Sequence, residues 1–347
     1  MKFERMVMFV VCLLSVFAFV YGDAANAANV SADGADWEFV VSHGSTEQSV
    51  NHIYAARVAE LLAEKSGGHL KMKIFPNSSL AKMRESVEGL VSGSIDFFPF
   101  ASAGFVEFVP ECALFDMPCV APTLETIRVA LDAITDDIKP YFENGNMKFF
   151  GFTDAGFREL SSNRPIHKME DFKGLKVRTM LNKNHLMFWK DWGANPTPMD
   201  YSEVFISLQQ GVIDGQENPL DLHVDAKFYE VQKYLVFTHH IPFNMIMPMS
   251  LDTWNSLSPE YQKIVEESLV QANKDIRDYS DQKLAEFEAF LTGEGKMEPI
   301  HMSDELFNDM KSASANTYDE IRKQVGSELV DKYLAAAQKA IDESKGN

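Results

Sequence analysis

Cysteine is scarce in this chain: three residues in 347, one of which, Cys12, lies in an apolar stretch near the N-terminus. A disulfide-rich scaffold is therefore excluded. Basic residues are in short supply too, 32 Lys plus Arg against 51 Asp plus Glu, for a net charge of −19. Such a balance argues against a nucleic-acid partner, whose phosphates it would repel. The chain contains no Gly-x-Ser-x-Gly elbow, no His-Glu-x-x-His pair and no phosphate-cradling glycine loop. The nine histidines are scattered, and the adjacent pair His239-His240 would point to opposite sides of a strand. No catalysis, no metal and no cofactor is expected. Internal repeats and low-complexity linkers are absent as well.

What is present begins with an export signal. Lys2 and Arg5 precede an apolar run from Met6 to Tyr21, broken only by Ser15, and Ala25-Asn26-Ala27 offers the small residues a signal peptidase wants. The run has 16 residues, short of the roughly 20 that span a bilayer. Residues 1–27 are read as a cleaved signal peptide and the mature chain as periplasmic. Cleavage removes Lys2, Arg5, Glu4 and Asp23, so the charge stays at −19, and 347 − 27 leaves 320 residues, room for two domains. Cys112 and Cys119 then remain in an apolar setting. It suits two buried thiols better than a bridge whose geometry no spacing guarantees.

Residues 37–41 read as a strand, 46–65 as a helix ended by Gly67-Gly68, 70–75 as a strand, 81–91 as a helix and 95–98 as a strand. This βαβαβ rhythm predicts an α/β domain with a largely parallel sheet. Further on, 175–178 reads as a strand and 183–192 as a helix. Residues 203–210 read as a helix capped by Ser202, and 212–214 as a strand. The stretch 258–291 has helical periodicity, no glycine and no proline after Pro259. At 1.5 Å per residue it would reach about 50 Å.

Against the acidic background, two arginines stand twenty residues apart: Arg158 in Gly156-Phe157-Arg158-Glu159-Leu160 and Arg178 in Gly174-Leu175-Lys176-Val177-Arg178. Guanidinium is permanently charged and presents a donor fork that fits a carboxylate or similar oxyanion. Tyr201, in Pro196-Thr197-Pro198-Met199-Asp200-Tyr201, and Asn218, in Asp214-Gly215-Gln216-Glu217-Asn218-Pro219, supply a ring and an amide for such an anion site.

This ordered set, densest from Arg158 to His240, resembles the DctP-like solute-binding proteins of TRAP transporters, over nearly the whole mature chain. The resemblance implies a two-lobed periplasmic binding protein fold, with a ligand cleft between the lobes and a long helix spanning both. One lobe would comprise 36–155 plus 244–283, the other 156–243 plus 284–347. It implies that Arg178 pairs with the ligand's carboxylate, that Arg158 and Asn218 add hydrogen bonds and that Tyr201 packs on the ligand. Relatives that bind sialic acid carry a glutamate and an arginine where this chain has Ala101 and Gly104, so a different and smaller ligand is expected.

From the first lobe, Ser42, His43, Met83, Arg84 and Ser102 are candidates for the cleft. Glu217, whose charge would repel an acid, is read as a cap or inter-lobe partner, and Arg164 as a brace for the turn before Pro165. Trp189 and Trp192 share a helix face and read as core. The resulting expectation is a monomeric receptor for a small organic anion, carboxylate or sulfonate, that serves a two-component TRAP permease. A receptor for an ATP-driven importer and a sensory ligand-presenting protein are the alternatives.

Overall fold

The computed structural model describes residues 36–346 together with Gly34; the leader and the expected cleavage point after Ala27 lie outside the described residues. The chain opens with β1 (Trp37–Ser42), α1 (Val50–Lys65), β2 (Leu70–Phe75) and α2 (Met83–Ser92). Strands β1 and β2 pair in parallel, from Trp37 opposite Leu70 to Ser42 opposite Phe75. Helix α1 starts four residues later than its periodicity suggests, because Ser49 caps it by accepting a hydrogen bond from the His52 amide. The strand expected at 95–98 shrinks to Phe97, which bridges Val41 and Met249. Immediately afterwards the chain bends into β3 (Phe100–Ala101), whose partners are Ile246 and Met245. Then come α3 (Leu124–Asn144), β4 (Met147–Lys148) and the ten-residue β5 (Thr153–Ser162).

The second lobe is built from β6 (Lys176–Thr179), α4 (Lys183–Asp191), β7 (Asn195–Pro198), α5 (Val204–Gln209), β8 (Gly215–Asn218) and α6 (Leu220–Asp225). The thirteen-residue β9 (Tyr234–Ile246) follows. After β10 (Met249–Ser250) and α7 (Leu251–Ser256) come α8 (Pro259–Thr292), β11 (Glu298–His301), α9 (Asp304–Ala313), α10 (Ala315–Val325) and α11 (Ser327–Gly346). The large sheet has the order β11-β9-β5-β8-β6-β7, with β3 also on β9. Residues 212–214 are a turn and not the strand expected there: Val212 faces solvent, and the Asp214 carboxylate accepts the Lys176 amide at 2.9 Å. Ser202 likewise lies inside a 3-10 turn (Tyr201–Glu203) instead of capping a helix.

Helix α8 has 34 residues and crosses both lobes. Ser258 caps it, and Pro259 occupies a first-turn position where a missing amide costs nothing. Its first half packs on α1, with Tyr261, Val265, Leu269 and Ile276 in the first-lobe cluster, while Leu284, Phe287 and Leu291 join a second-lobe cluster with Leu235 and Phe237. Gly156 sits where β5 kinks past this helix, at φ +88, and a Cβ there would come within 2.7 Å of the Leu284 side chain.

The end of the chain departs from the expected division. Ile321, Val330, Tyr333 and Ala337 belong to the first-lobe core around Phe115, Ile127 and Ile134. Lys332 reaches Asp137 of α3 at 2.6 Å. Helix α11 therefore packs on the first lobe, its apolar stripe against α3, while α10 bridges the lobes: Ile321 joins the first-lobe core and the Thr317 hydroxyl donates to Asp191 of α4 at 2.7 Å. Cys112 and Cys119 are free buried thiols. Trp189 and Trp192 pack at 4.9 Å between ring centroids in the second-lobe core.

Candidate ligand-binding cleft

Sheet register assembles the site. Arg178 on β6 lies opposite Gln216 on β8, and Asn218, the last residue of β8, lies opposite Glu159 on β5. Three neighbouring strands thus deliver Arg178, Asn218 and Arg158 to one end of the sheet, the carboxyl end of β6 and β8, where α/β sheets bind ligands. Tyr201 enters from the turn after β7. All four line one cleft of about 690 Å³, counted to its open mouth. Gly44, Ser45, Asn51, Phe98 and Phe100 form its first-lobe wall.

Arg178 is buried, and its Nε and Nη2 donate to the Met199 carbonyl at 3.1 and 2.7 Å. That leaves Nη1 and one Nη2 proton for an incoming oxygen. No carboxylate pairs with it among the described residues. Burial pulls its pKa down to about 10, Glu217 pulls it back up and Arg158 lowers it further. A cation depressed in this way is charged at neutral pH but short of counter-charge.

Arg158 is held differently. Its Nε bonds Glu217 Oε2, and Nη2 reaches Glu217 Oε1 at 2.8 Å and Asn218 Oδ1 at 3.2 Å. Its Nη1 is buried without a partner, and the guanidinium lies 5.4 Å from the Phe243 ring centroid. Glu217 is thus the buried counter-ion of Arg158, neither a helix cap nor an inter-lobe partner. His240 stands 3.2 Å and His185 3.8 Å from the same carboxylate. Burial would raise the Glu217 carboxyl, but the Arg158 charge and the two histidines outweigh it and hold it well below the usual range. For His185, burial favours the neutral ring, yet Asp116 and Glu217 on either side raise its pKa. Asn218 gives its amide to Gln216 Oε1 at 2.5 Å. Tyr201 donates its hydroxyl to the Leu222 carbonyl at 3.3 Å, with its ring edge-on to Phe228.

The remaining first-lobe candidates fall outside this cleft. Ser42 faces Ser86 at 3.1 Å inside the lobe. His43 is buried against His52 at 3.0 Å, and burial, followed by His52, pulls its pKa down to about 4. The chain turns just after them, so it is Gly44 and Ser45 that reach the cleft. Met83 lines it, whereas Arg84, one step round the first turn of α2, points to solvent and pairs with Glu88 and Glu107 at 3.1 and 2.6 Å. Ser102 is buried at the start of a 3-10 turn. Sequence reasoning missed Ser45, Asn51, Phe98, Phe100 and Phe243. The strand expected at 95–98 was a usable signal, since Phe98 ends it and Phe100 lies just past its carboxyl end. Arg164 braces its turn as expected, donating to the Asp171 carbonyl at 2.8 Å.

A two-lobed α/β body with paired arginines buried in the inter-lobe cleft defines a solute-binding receptor. The family model described as bacterial extracellular solute-binding protein, family 7 (DctP) matches residues 41–324, and the chain belongs to that family. The sialic acid-binding periplasmic protein of Vibrio cholerae is 32% identical over 294 residues, 83% of this chain and 89% of that protein. The sugar acid binding protein of Advenella mimigardefordensis, solved with galactonate, superposes with a TM-score of 0.84 at 26% identity, covering 88% of this chain and 99% of the other. A TRAP periplasmic solute binding protein from Polaromonas, bound to D-erythronate, gives 0.81 at 29% identity, over 86% and 99%. Each of these relatives is described as a protein that binds an organic acid or is solved with one, the Polaromonas protein as a TRAP periplasmic solute-binding protein. This chain is a solute-binding receptor of the same family.

Proposed function

We propose that this chain, exported to the periplasm and freed of its leader after Ala27, acts as a monomer that captures a small organic anion and delivers it to a two-component TRAP permease. One observation carries the reading: Arg178 is a buried guanidinium with no carboxylate partner among the described residues, facing the same cleft as the unpartnered Nη1 of Arg158. An acid group would complete both. Arg178 is its main anchor, while Arg158 and Asn218 supply further hydrogen bonds and Tyr201 a packing surface. The acids held by the Advenella and Polaromonas proteins support the same class of ligand.

Closure of the lobes strengthens the pairing by excluding water. Contacts between the lobes that closure would use flank the cleft. Lys82 lies 3.5 Å from Asp200, Thr46 bonds Asp225, and the Asp221 carboxylate accepts the Val50 amide at 3.2 Å. The permease then reads surface outside the cleft.

The test is a thermal-shift screen of the processed protein against monocarboxylates, dicarboxylates, sugar acids and sulfonates. A true ligand at 100 times its Kd adds about 2.7 kcal/mol of stability and shrinks the radius of gyration in small-angle scattering. Turnover of the bound acid, or no stabilisation by any acid, would overturn the proposal.

A further inference from the structure

The charges around the cleft do not cancel, and the remainder is small. Three cations line it: Arg158, Arg178 and Lys82. Glu217 neutralises Arg158 from behind, and Asp200 on the opposite rim stands 3.5 Å from Lys82. Arg178 alone of the three has no carboxylate among the described residues. One uncompensated positive charge matches an anion carrying one negative charge. A second carboxylate would have to break the Lys82–Asp200 pair and then lie beside Asp200.

Two hydrogen-bonding atoms in this cleft are buried without partners, and they differ in kind. Arg158 Nη1 is a donor and suits an acid oxygen. Asn51 Oδ1, in the first turn of α1, is an acceptor. The Asn51 amide nitrogen is engaged by Ser45 Oγ at 2.9 Å, so the oxygen is left over, in a side chain only 2% exposed. A carboxylate cannot satisfy it, because both groups only accept. A hydroxyl can, and an amide buried beside a ligand that lacks one stays unpaired.

Beyond Ser45, Ser78 and Lys82 at one side, the first-lobe wall is hydrocarbon: Phe98, Phe100 and Met83 line the same cleft as Met180 and Phe243 of the neighbouring walls. Gly104 sets this wall. A Cβ there would sit 2.5 Å from the Phe100 ring and 3.4 Å from the Met83 sulfur, so any side chain at 104 displaces Phe100. A polyhydroxylated tail lying along this part of the wall would set hydroxyls against rings that cannot bond them, away from Ser78 and Ser202.

We infer that the cleft selects a monocarboxylate bearing one hydroxyl near the acid and a branched or aromatic hydrocarbon tail. The acid lies on Arg178 and Arg158, the hydroxyl on Asn51 and the tail against Phe98 and Phe100. This rests on the anion-capture reading above and narrows its ligand.

The test is calorimetry on the processed protein with 2-hydroxy-4-methylpentanoate, its deoxy analogue 4-methylpentanoate, succinate and gluconate, using wild type, Asn51→Leu and Arg178→Ala. The hydroxy acid should bind at least tenfold tighter than each of the other three. Asn51→Leu should bring the hydroxy-to-deoxy ratio close to one, whatever the change in absolute affinity. Preference for succinate or gluconate in wild type overturns the inference without any need for the variant. So does a hydroxy-to-deoxy ratio that survives Asn51→Leu. If those other acids still bind in an Arg178-dependent way, the receptor reading stands and only the selectivity falls. If no acid binds in an Arg178-dependent way, both fall.

Discussion

Removing either arginine of the cleft should damage the protein, but in different ways, because only one of them is already paired. Arg178 bonds a backbone carbonyl and faces open space, whereas Arg158 is locked to the buried Glu217. Arg178→Ala leaves the ligand's acid unpaired in a closed cleft, a loss of about 3–5 kcal/mol. At about 1.4 kcal/mol per decade this is roughly a hundred- to several-thousandfold in Kd. Arg178→Lys should also bind poorly, since an ammonium cannot reproduce the two-donor fork. The ligand-free Arg178→Ala protein should lose only the bonds to Met199, on the order of 1–3 kcal/mol. Arg158→Ala instead strands the Glu217 carboxylate in the core. Its 3–5 kcal/mol falls on the fold itself, a drop in Tm on the order of 10 °C before any ligand is added. Calorimetry with the acid found by screening, alongside thermal unfolding of each ligand-free variant, separates the two. The reasoning is refuted if Arg178→Ala binds that acid as wild type does, or if Arg158→Ala unfolds at the wild-type temperature.

The Arg158–Glu217 pair should behave as a unit: Arg158→Met with Glu217→Leu should be less destabilised than either single change, as chemical denaturation would show. Asp221 gives the closed form a pH dependence. Burial foremost, and then the charge of Asp225, raise its carboxyl to about 7, against the opposing bond from the Val50 amide. A carboxyl raised in the closed state favours closure below its ordinary pKa, and that contribution is lost as pH climbs through about 7. Scattering on ligand-free protein should therefore show a larger radius at pH 8 than at pH 5.5 for wild type and a smaller change for Asp221→Asn. Intact mass of periplasmic material should correspond to a chain beginning at Ala28, with Cys112 and Cys119 alkylated only after unfolding.

The second lobe was more legible from sequence than the first, for a physical reason. Arg158, Arg178 and Asn218 sit on three adjacent strands, so short local patterns map directly onto the rim of the sheet. In the first lobe the cleft is made by a turn at 44–45, the start of α1 and two rings beyond a one-residue bridge. Which residue of a turn faces inward depends on tertiary contacts that periodicity does not carry, so Ser42 and His43 were favoured over Ser45. Glu217 was misjudged because a lone carboxylate beside an acid site looks repulsive until its pairing with Arg158 is seen. The long helix was read correctly because thirty residues of one period leave little choice. The docking of α11 on α3 was not read, since two amphipathic helices far apart in sequence carry no mark of which lobe they cover.

Because α10 bridges the lobes and α11 lies on the first, the chain passes between the lobes at β5, at β9, along α8 and again at α10. Trp192 of the second lobe anchors that last passage, donating to Ser314 Oγ at 2.9 Å. Two bodies joined by a single strap can twist, slide and fold; four straps spread over their width leave little beyond one rotation. The approach of Phe100 to Arg178 then follows from a single closing angle. A ligand too long holds that angle open, and one too short lets the walls meet before its ends are gripped. The fold itself would thus measure the length of the acid, independently of any side chain that touches it.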